Sequence, residues 1–325
     1  MSIPSQPTIV FLDAGTIDRG DIDLSLLKKQ GKLVCYDRSS PPEIFERIKN
    51  ASIVITNKCV LGKDLLKKSP HLKLIAVAAT GFNNIDIAAA KKKKILVANV
   101  AGYSTSTVVE HTFLFLLACG HRFIEHHEAS QQKKWSASPY YALLDFSYSD
   151  LRGKTLGIVG YGTIGKKVAR VAKVFGMKIL VAKIPGRKYS TSKKRASLKK
   201  LLQVSDFVTL HCALSEKTFH LMNTQRLSWM KTSTYLLNLA RGPIVDEKAM
   251  LSALQKNKIA GYATDVMEQE PPPQNHPFFQ KSLQNKILLT PHIAWASRES
   301  RQRLIDEVAW NIAAFKKKIR RNRVV

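Results

Sequence analysis

Three polar side chains that could handle an anion or a proton each follow an apolar run typical of a β-strand. They are Arg241, Glu270 and His292. In an open parallel sheet, ligands bind at the carboxyl ends of the strands, so three such side chains can converge on one crevice. A guanidinium grips a carboxylate with two hydrogen bonds. An imidazole beside a carboxylate exchanges a proton near neutral pH. Together they predict a site that orients a small anionic carbonyl compound and protonates its oxygen.

A glycine-rich segment, Gly160-Tyr-Gly-Thr-Ile-Gly165, follows a strand-like run and opens an amphipathic helical pattern. This context predicts a dinucleotide-binding turn. Gly160 permits the tight turn, Gly162 lets the backbone approach a pyrophosphate, and Gly165 allows close packing of helix on strand. The amides of Thr163 and Ile164 would face the anion at the helix N-terminus. The turn therefore predicts a nicotinamide dinucleotide, whose hydride the carbonyl compound would accept.

The acidic residue that usually holds the ribose hydroxyls about 20 residues further on is missing. Lys183 occupies its place at the end of the next strand-like run. A cation there could bind a 2′-phosphate, so we hypothesise that NADPH is accepted or preferred. The alternative is that Lys183 points to water and NAD(H) binds. His211, which closes a later strand-like run, is expected near the cofactor.

Short apolar runs alternate with helical patterns over the first hundred residues, and the alternation restarts at Gly153. This pattern predicts an α/β protein with parallel sheets, and 325 residues favour two domains. A long apolar helix is expected over Thr105–Cys119. The aromatic-rich segment that follows, His121–Asp150, is interpreted as an arm that packs on a second subunit.

Composition limits the other classes of function. The net charge of +28 could suit nucleic acid, but the lysines are dispersed without interleaved aromatic residues, which favours a solvated basic surface and argues against specific nucleic-acid binding. No apolar stretch approaches the roughly 20 residues that span a bilayer. The polar N-terminus lacks a signal-peptide core, which favours a cytoplasmic location. The four scattered cysteines are expected to be free and mostly buried, and no metal site is predicted.

Four motifs give the chain a resemblance, over nearly its whole length, to a known family of enzymes. They are Gly160–Gly165, Asn238–Glu247, Asp265–Pro272 and Thr290–Ser297. In order and spacing they are similar to those of the D-isomer-specific 2-hydroxyacid dehydrogenases. Gly102–Phe113 and the run ending at Glu299 resemble the glycerate dehydrogenase (hydroxypyruvate reductase) branch.

The resemblance implies two Rossmann-like domains. A flavodoxin-like, discontinuous substrate domain would comprise residues 1–103 and 293–325, and an inserted NAD(P)-binding domain with a dimerisation arm would comprise residues 104–292, with the active cleft between the two. By the same resemblance, Arg241 binds substrate, His292 is the acid/base and contacts substrate, and Glu270 supports it. The amides of Thr80 and Gly81 would hold the substrate carboxylate. Further cofactor contacts are implied for Thr107, Ala213, Leu239, Ala240 and Asp265.

The implied activity is reduction of hydroxypyruvate or glyoxylate to the D-2-hydroxy acid by reduced NAD or NADP, in a homodimer. One alternative is the same chemistry on another 2-oxo acid, of the phosphoglycerate type or larger. The other is a non-enzymatic NAD(H)-sensing, corepressor-like or nucleic-acid-binding protein.

Overall fold

The computed structural model describes residues 6–189 and 195–325. The chain divides into two compact units, one formed by Met1–Ser104 with Trp295–Val325 and the other by Thr105–Ala294. The N-terminal residues on which the predicted location partly rests, 1–5, lie outside the described residues.

The N-terminal part of the first unit alternates strand and helix. Its elements are β1 (Thr8–Phe11), α1 (Ser25–Lys28), β2 (Lys32–Cys35), α2 (Pro41–Ile48), β3 (Ile53–Thr56), α3 (Lys63–Lys67), β4 (Leu74–Val77), α4 (Ile87–Lys92) and β5 (Leu96–Ala98). The strands form one parallel sheet in the order β2-β1-β3-β4-β5. This is the order of flavodoxin-like sheets. Strands β3 and β4 are buried along their whole length, as expected where helices cover both faces of a parallel sheet.

The second unit begins with two helices and continues as a second alternating fold. Its elements are α5 (Thr105–Gly120), α6 (Phe123–Gln131), β6 (Thr155–Val159), α7 (Thr163–Val174), β7 (Lys178–Val181), α8 (Leu198–Val204), β8 (Phe207–Leu210), α9 (Thr224–Leu227), β9 (Tyr235–Asn238), α10 (Glu247–Gln255), β10 (Gly261–Thr264) and β11 (Ile287–Leu289). All six strands are parallel, in the order β11-β10-β9-β8-β6-β7. The chain adds β7 on one side of β6 and then continues with β8 on the other side. The strand order therefore switches between β6 and β8, and the crevice for a ligand is expected at their carboxyl ends.

The last helix, α11 (Arg298–Lys316), returns to the first unit. The side chain of Ser297 caps it by accepting a hydrogen bond from the Ser300 amide. Its apolar face joins the core of β1, β3 and β4 through Leu304, Val308 and Ile312. In the part of the chain that the structure describes, no helix is long and apolar enough to cross a membrane.

The segment 121–150, interpreted from its aromatic residues as an arm, begins with the helix α6. One prediction about local structure, the burial of the cysteines, needs correction. The cysteines are free, but only Cys212 is buried, whereas Cys35 is exposed and Cys59 and Cys119 are half-buried. Cys35 ends β2, an edge strand with two exposed residues, so an apolar sequence context did not ensure burial there.

Candidate active site

His292 and Glu270 form a direct pair. The Nδ1 atom of His292 lies 2.6 Å from Oε2 of Glu270. The other carboxylate oxygen, Oε1, accepts a hydrogen bond of 3.0 Å from the Met267 amide. Because an ionised carboxylate can only accept, Nδ1 must carry the hydrogen of this pair. Glu270 therefore fixes both the orientation and the tautomer of the ring, and the side chains remain partly open to solvent, at 27% and 35% exposure for His292 and Glu270.

The turn that carries His292 is anchored on a buried carboxylate. Asp265, only 2% exposed, accepts hydrogen bonds of 2.8 Å each from the backbone amides of Ile293 and Ala294. It also accepts one of 2.6 Å from the hydroxyl of Thr290. His292 itself has a left-handed backbone, φ +54°, a conformation that costs energy for a residue with a Cβ. The hydrogen bonds to Asp265, on both sides of His292, hold it in that conformation.

A second histidine extends this network. The Nε2 atom of His111, in α5, lies 3.0 Å from Oγ1 of Thr290. Thr290 has a single hydroxyl hydrogen, which it gives to Asp265, so Nε2 of His111 must be the donor. Burial lowers the pKa of His111, which favours the neutral ring. Neither His111 nor Thr290 stands out in the sequence as a candidate site residue, although both lie in segments that carry the family resemblance.

Arg241 follows β9 and is exposed. Its Nη1 atom donates to the carbonyl oxygen of Ala240 at 2.7 Å. The next residue, Gly242, packs directly on the backbone that leads to Glu270, because a Cβ on Gly242 would lie 1.9 Å from the carbonyl oxygen of Met267. Only glycine permits this approach. The loop of Arg241 and the loop of Glu270 are thereby held side by side at the carboxyl edge of the sheet.

The three glycines of the predicted dinucleotide turn have different surroundings. Gly160 has φ +103°, and a Cβ there would lie 2.4 Å from the amide nitrogen of Cys212. A Cβ on Gly165 would lie 2.1 Å from the carbonyl oxygen of Gly160. A Cβ on Gly162 would meet no atom within 4 Å. Two glycines therefore serve packing, while the third leaves open space at the start of α7, where the amides of Thr163 and Ile164 have no partner within the helix.

His211 lies beside this turn and has one unsatisfied ring nitrogen. Its Nε2 atom lies 3.0 Å from Oγ1 of Thr209, whereas its buried Nδ1 has no hydrogen-bond partner among the residues that the structure describes. Burial lowers the pKa of His211 to about 4, so the ring is neutral near pH 7. A buried polar atom without a partner is costly. Together with the open space at Gly162, it fits a bound dinucleotide.

The remaining cofactor positions lie at the same edge of the sheet or on α5. Leu239 and Ala240 are buried directly after β9, and Ala213 is exposed in the loop after β8. Lys183 is exposed after β7, and its backbone amide donates to the carbonyl oxygen of Ala196 at 2.8 Å. Thr107 is half-buried in the first turn of α5.

Thr80 and Gly81 belong to the first unit, in the loop after β4. The hydroxyl of Thr80 donates to the carbonyl oxygen of Val100 at 2.9 Å, and the carbonyl oxygen of Thr80 accepts from the side chain of Asn99 at 2.7 Å. The backbone amides of Thr80 and Gly81 donate to no acceptor within residues 6–189 and 195–325. Both amides are thus available to an anion.

The chain is similar to known proteins over nearly its whole length. Residues 113–294 match the model for the NAD-binding domain of the D-isomer specific 2-hydroxyacid dehydrogenases. The chain is 34% identical to a hydroxypyruvate reductase of Blautia hydrogenotrophica, over 95% of this chain and 97% of that protein. It is 36% identical to a glycerate dehydrogenase of Methylorubrum extorquens, over 94% and 95%.

Among solved structures, the D-lactate dehydrogenase of Aquifex aeolicus, complexed with NAD and lactic acid, superposes with a TM-score of 0.82 at 29% identity. The match covers 98% of this chain and 99% of that chain. The resemblance of the four motifs, the two parallel-sheet α/β units and the matched NAD-binding domain are therefore mutually consistent. The chain belongs to the D-isomer specific 2-hydroxyacid dehydrogenase family.

Proposed function

We propose that this enzyme reduces a short 2-oxo acid, hydroxypyruvate or glyoxylate, to the D-2-hydroxy acid as a cytoplasmic homodimer. The observation that carries the proposal is the 2.6 Å contact between His292 and Glu270, on a turn anchored by Asp265. The relatives named hydroxypyruvate reductase, glycerate dehydrogenase and glyoxylate reductase support this class of substrate.

In the proposed mechanism His292 is the proton donor. Glu270 accepts a hydrogen bond from Nδ1 and stabilises the imidazolium, so the proton on Nε2 is the one delivered to the substrate carbonyl oxygen. In the reverse direction the same nitrogen takes the proton back. The guanidinium of Arg241 binds the substrate carboxylate and polarises the neighbouring carbonyl. The amides of Thr80 and Gly81 are proposed to add hydrogen bonds to the carboxylate.

The cofactor is proposed to lie along the carboxyl edge of the second unit's sheet. The glycine turn and the first amides of α7 would hold its pyrophosphate, His211 and the backbone around Ala213, Leu239 and Ala240 would line it, and Thr107 and Asp265 would lie near the nicotinamide. When bound, the reduced nicotinamide supplies the hydride.

The proposal is tested by initial rates on a panel of 2-oxo acids with NADH and with NADPH. Hydroxypyruvate or glyoxylate should give the highest kcat/KM, with the D-hydroxy acid as product. The His292→Ala variant should lose roughly 10²–10⁴-fold in kcat, the usual size of acid–base catalysis. Near-wild-type turnover in this variant would contradict the role of His292 as proton donor. A clear preference for a larger or phosphorylated 2-oxo acid would contradict the proposed substrate.

The chain offers a matched control for this variant. His276 also pairs with a glutamate, since its Nε2 atom lies 3.1 Å from Oε2 of Glu247, but we assign it no part in the reaction. His276→Ala should therefore keep kcat within a few-fold of wild type. Circular dichroism on both variants would show that each is folded.

The net charge of +28 favours one rival, a nucleic-acid-binding protein. Such a protein would bind duplex DNA with an affinity that falls steeply with salt, and it would turn over no 2-oxo acid. A DNA-binding titration at two salt concentrations, run beside the substrate panel, separates the two functions.

A further inference from the structure

Two arginine side chains gather after β7, around one tyrosine ring. The guanidinium carbon of Arg195 lies 4.4 Å from the ring centre of Tyr189, and that of Arg187 lies 5.7 Å from it. The Tyr189 hydroxyl accepts a hydrogen bond of 2.8 Å from the Ile184 amide, which fixes the ring. Lys183 directly precedes Ile184 in the chain. The cluster is thus built on an anchored aromatic side chain.

This cluster adjoins the dinucleotide turn. The guanidinium carbon of Arg195 also lies 5.8 Å from the ring centre of Tyr161, the second residue of that turn. Ala196 pairs with Ala182 in a parallel bridge, and the Lys183 amide donates to Ala196 at 2.8 Å. Backbone contacts therefore bring Arg195 to the end of β7, where the adenosine ribose of a dinucleotide is recognised.

The cations lack acidic partners. Within the described ranges, none of Lys183, Arg187 and Arg195 takes part in an ion pair, and the buried Nε atom of Arg195 has no hydrogen-bond partner. A fourth cation, Lys217, adds to the positive charge, with Nζ 2.7 Å from the carbonyl oxygen of Gly186. A buried guanidinium nitrogen without an acceptor is costly, so the site is expected to receive an anion.

We propose that this cluster binds the 2′-phosphate of NADP(H), with Arg195 as the residue that determines the preference for NADP(H) over NAD(H). The inference rests on the proposed function, since it requires the dinucleotide to bind at the Gly160–Gly165 turn. A phosphate monoester carries a charge of about −1.5 to −2 near pH 7, and a guanidinium binds it with paired hydrogen bonds. NAD(H) has a hydroxyl there and leaves Arg195 without an anionic partner.

The test is calorimetric binding of 2′,5′-ADP and of 5′-AMP to the full chain without substrate. The two probes differ only in the 2′-phosphate. 2′,5′-ADP should bind roughly 10- to 150-fold more tightly, the size of one charge-assisted hydrogen bond or more. Arg195→Gln should remove most of this difference while leaving the 5′-AMP affinity unchanged, and Arg195→Lys should restore part of it. The control, Arg152→Gln, replaces an exposed arginine before β6, at the amino ends of the strands, whereas the cluster follows the carboxyl end of β7.

The outcomes are distinguishable. Equal affinities for the two probes in the wild type would overturn the inference but not the proposed function. Absence of binding of both probes would overturn the inference together with the proposed cofactor site. Should Arg195→Gln fail to fold, Arg187→Gln provides the same comparison, with a smaller expected loss. A kcat/KM for NADH above that for NADPH would also count against the inference.

Discussion

At the scale of single residues, the reacting imidazole depends on side chains that never touch the substrate in the proposed mechanism. Asp265 lies 25 to 29 residues before its partners in the chain, yet it binds the amides of Ile293 and Ala294 and the hydroxyl of Thr290. Removing any of these donors would release part of the turn on which His292 is held with a positive φ. Preorganisation of this kind lowers the cost of reaching the reactive geometry.

Thr290→Val tests this dependence with little change of shape. The variant removes the hydroxyl that donates to Asp265 and leaves Nε2 of His111 without its acceptor. An unsatisfied buried polar group costs about 1–3 kcal/mol, so the free energy of unfolding in urea should fall by that order. The kcat should fall roughly tenfold, with a smaller change in KM, because the proton donor is misplaced.

Thr290→Ser keeps the hydroxyl and is the control for that variant. It should retain kcat within a few-fold of wild type and most of the stability. If Thr290→Val lost stability but kept the wild-type kcat and pH profile, the network would be structural only.

His211 leads to a prediction about pH. Its pKa is lowered by burial to about 4, whereas an unfolded histidine titrates near 6.5. Below about pH 6.5 the unfolded chain therefore binds a proton that the folded chain does not. The free energy of unfolding should fall as the pH decreases from about 6.5 to about 4, by up to ~3 kcal/mol from this residue.

Urea unfolding of the wild type and of His211→Gln across this pH range isolates that contribution. Their difference in unfolding free energy should be constant above pH 7 and shrink as the pH decreases, because glutamine has no proton to bind. A difference that stays constant down to pH 4 would show that His211 has an ordinary pKa.

At the scale of elements, the strand–turn–helix unit of β6 and α7 combines packing with ligand access. Its sequence pattern correctly predicted a strand, a turn and an amphipathic helix, because apolar periodicity and glycine spacing are local properties. The pattern also suggested a role for each glycine, but the close approaches of Gly160 and Gly165 depend on atoms of the loop after β8 and of the turn itself. These distances could not be obtained from the sequence.

Gly162, which precedes α7, and Gly165, in the first turn of α7, should respond differently to alanine. Gly165→Ala would place a Cβ 2.1 Å from the carbonyl oxygen of Gly160. It should therefore destabilise the protein by roughly 1–3 kcal/mol, as overpacking does, although alanine is the better helix former. Gly162→Ala meets open space and should keep wild-type stability while weakening cofactor binding roughly tenfold or more, since the methyl group would face the proposed pyrophosphate.

Urea unfolding and calorimetric titration with the preferred cofactor measure the two effects on each variant. Tight cofactor binding by Gly162→Ala would argue against the proposed position of the pyrophosphate. An unchanged stability of Gly165→Ala would argue against its packing role.

At the scale of the whole molecule, the segment 121–150 is the clearest sign of an assembly. After α6 it exposes Tyr140, Tyr141 and Leu144 to 74%, 95% and 83%. Exposed large apolar side chains concentrated in one segment are typical of an interaction surface, and aromatic residues are enriched in the centres of interfaces. This supports the proposed homodimer.

Light scattering coupled to size exclusion should give the wild type a mass twice the 36.4 kDa of the chain. Tyr141→Asp with Leu144→Asp should shift the species to the monomer at micromolar concentration. Val174→Asp is the matched control, because Val174 is also 85% exposed but lies on α7. A monomeric wild type, or a double variant that remains dimeric, would contradict this role of the segment.

The sequence by itself determined the class of fold, the two alternating α/β halves and the residues with the chemistry of a D-2-hydroxyacid dehydrogenase. These follow from apolar periodicity and short motifs, which act over a few residues. The resemblance also predicted that Glu270 supports His292. Only the tertiary structure decided the contacts of Asp265 with the turn after Thr290, of His111 with Thr290, and of Arg195 with Tyr161. Such contacts join residues far apart in the chain, and their geometry depends on strand order and close packing, which no local pattern encodes.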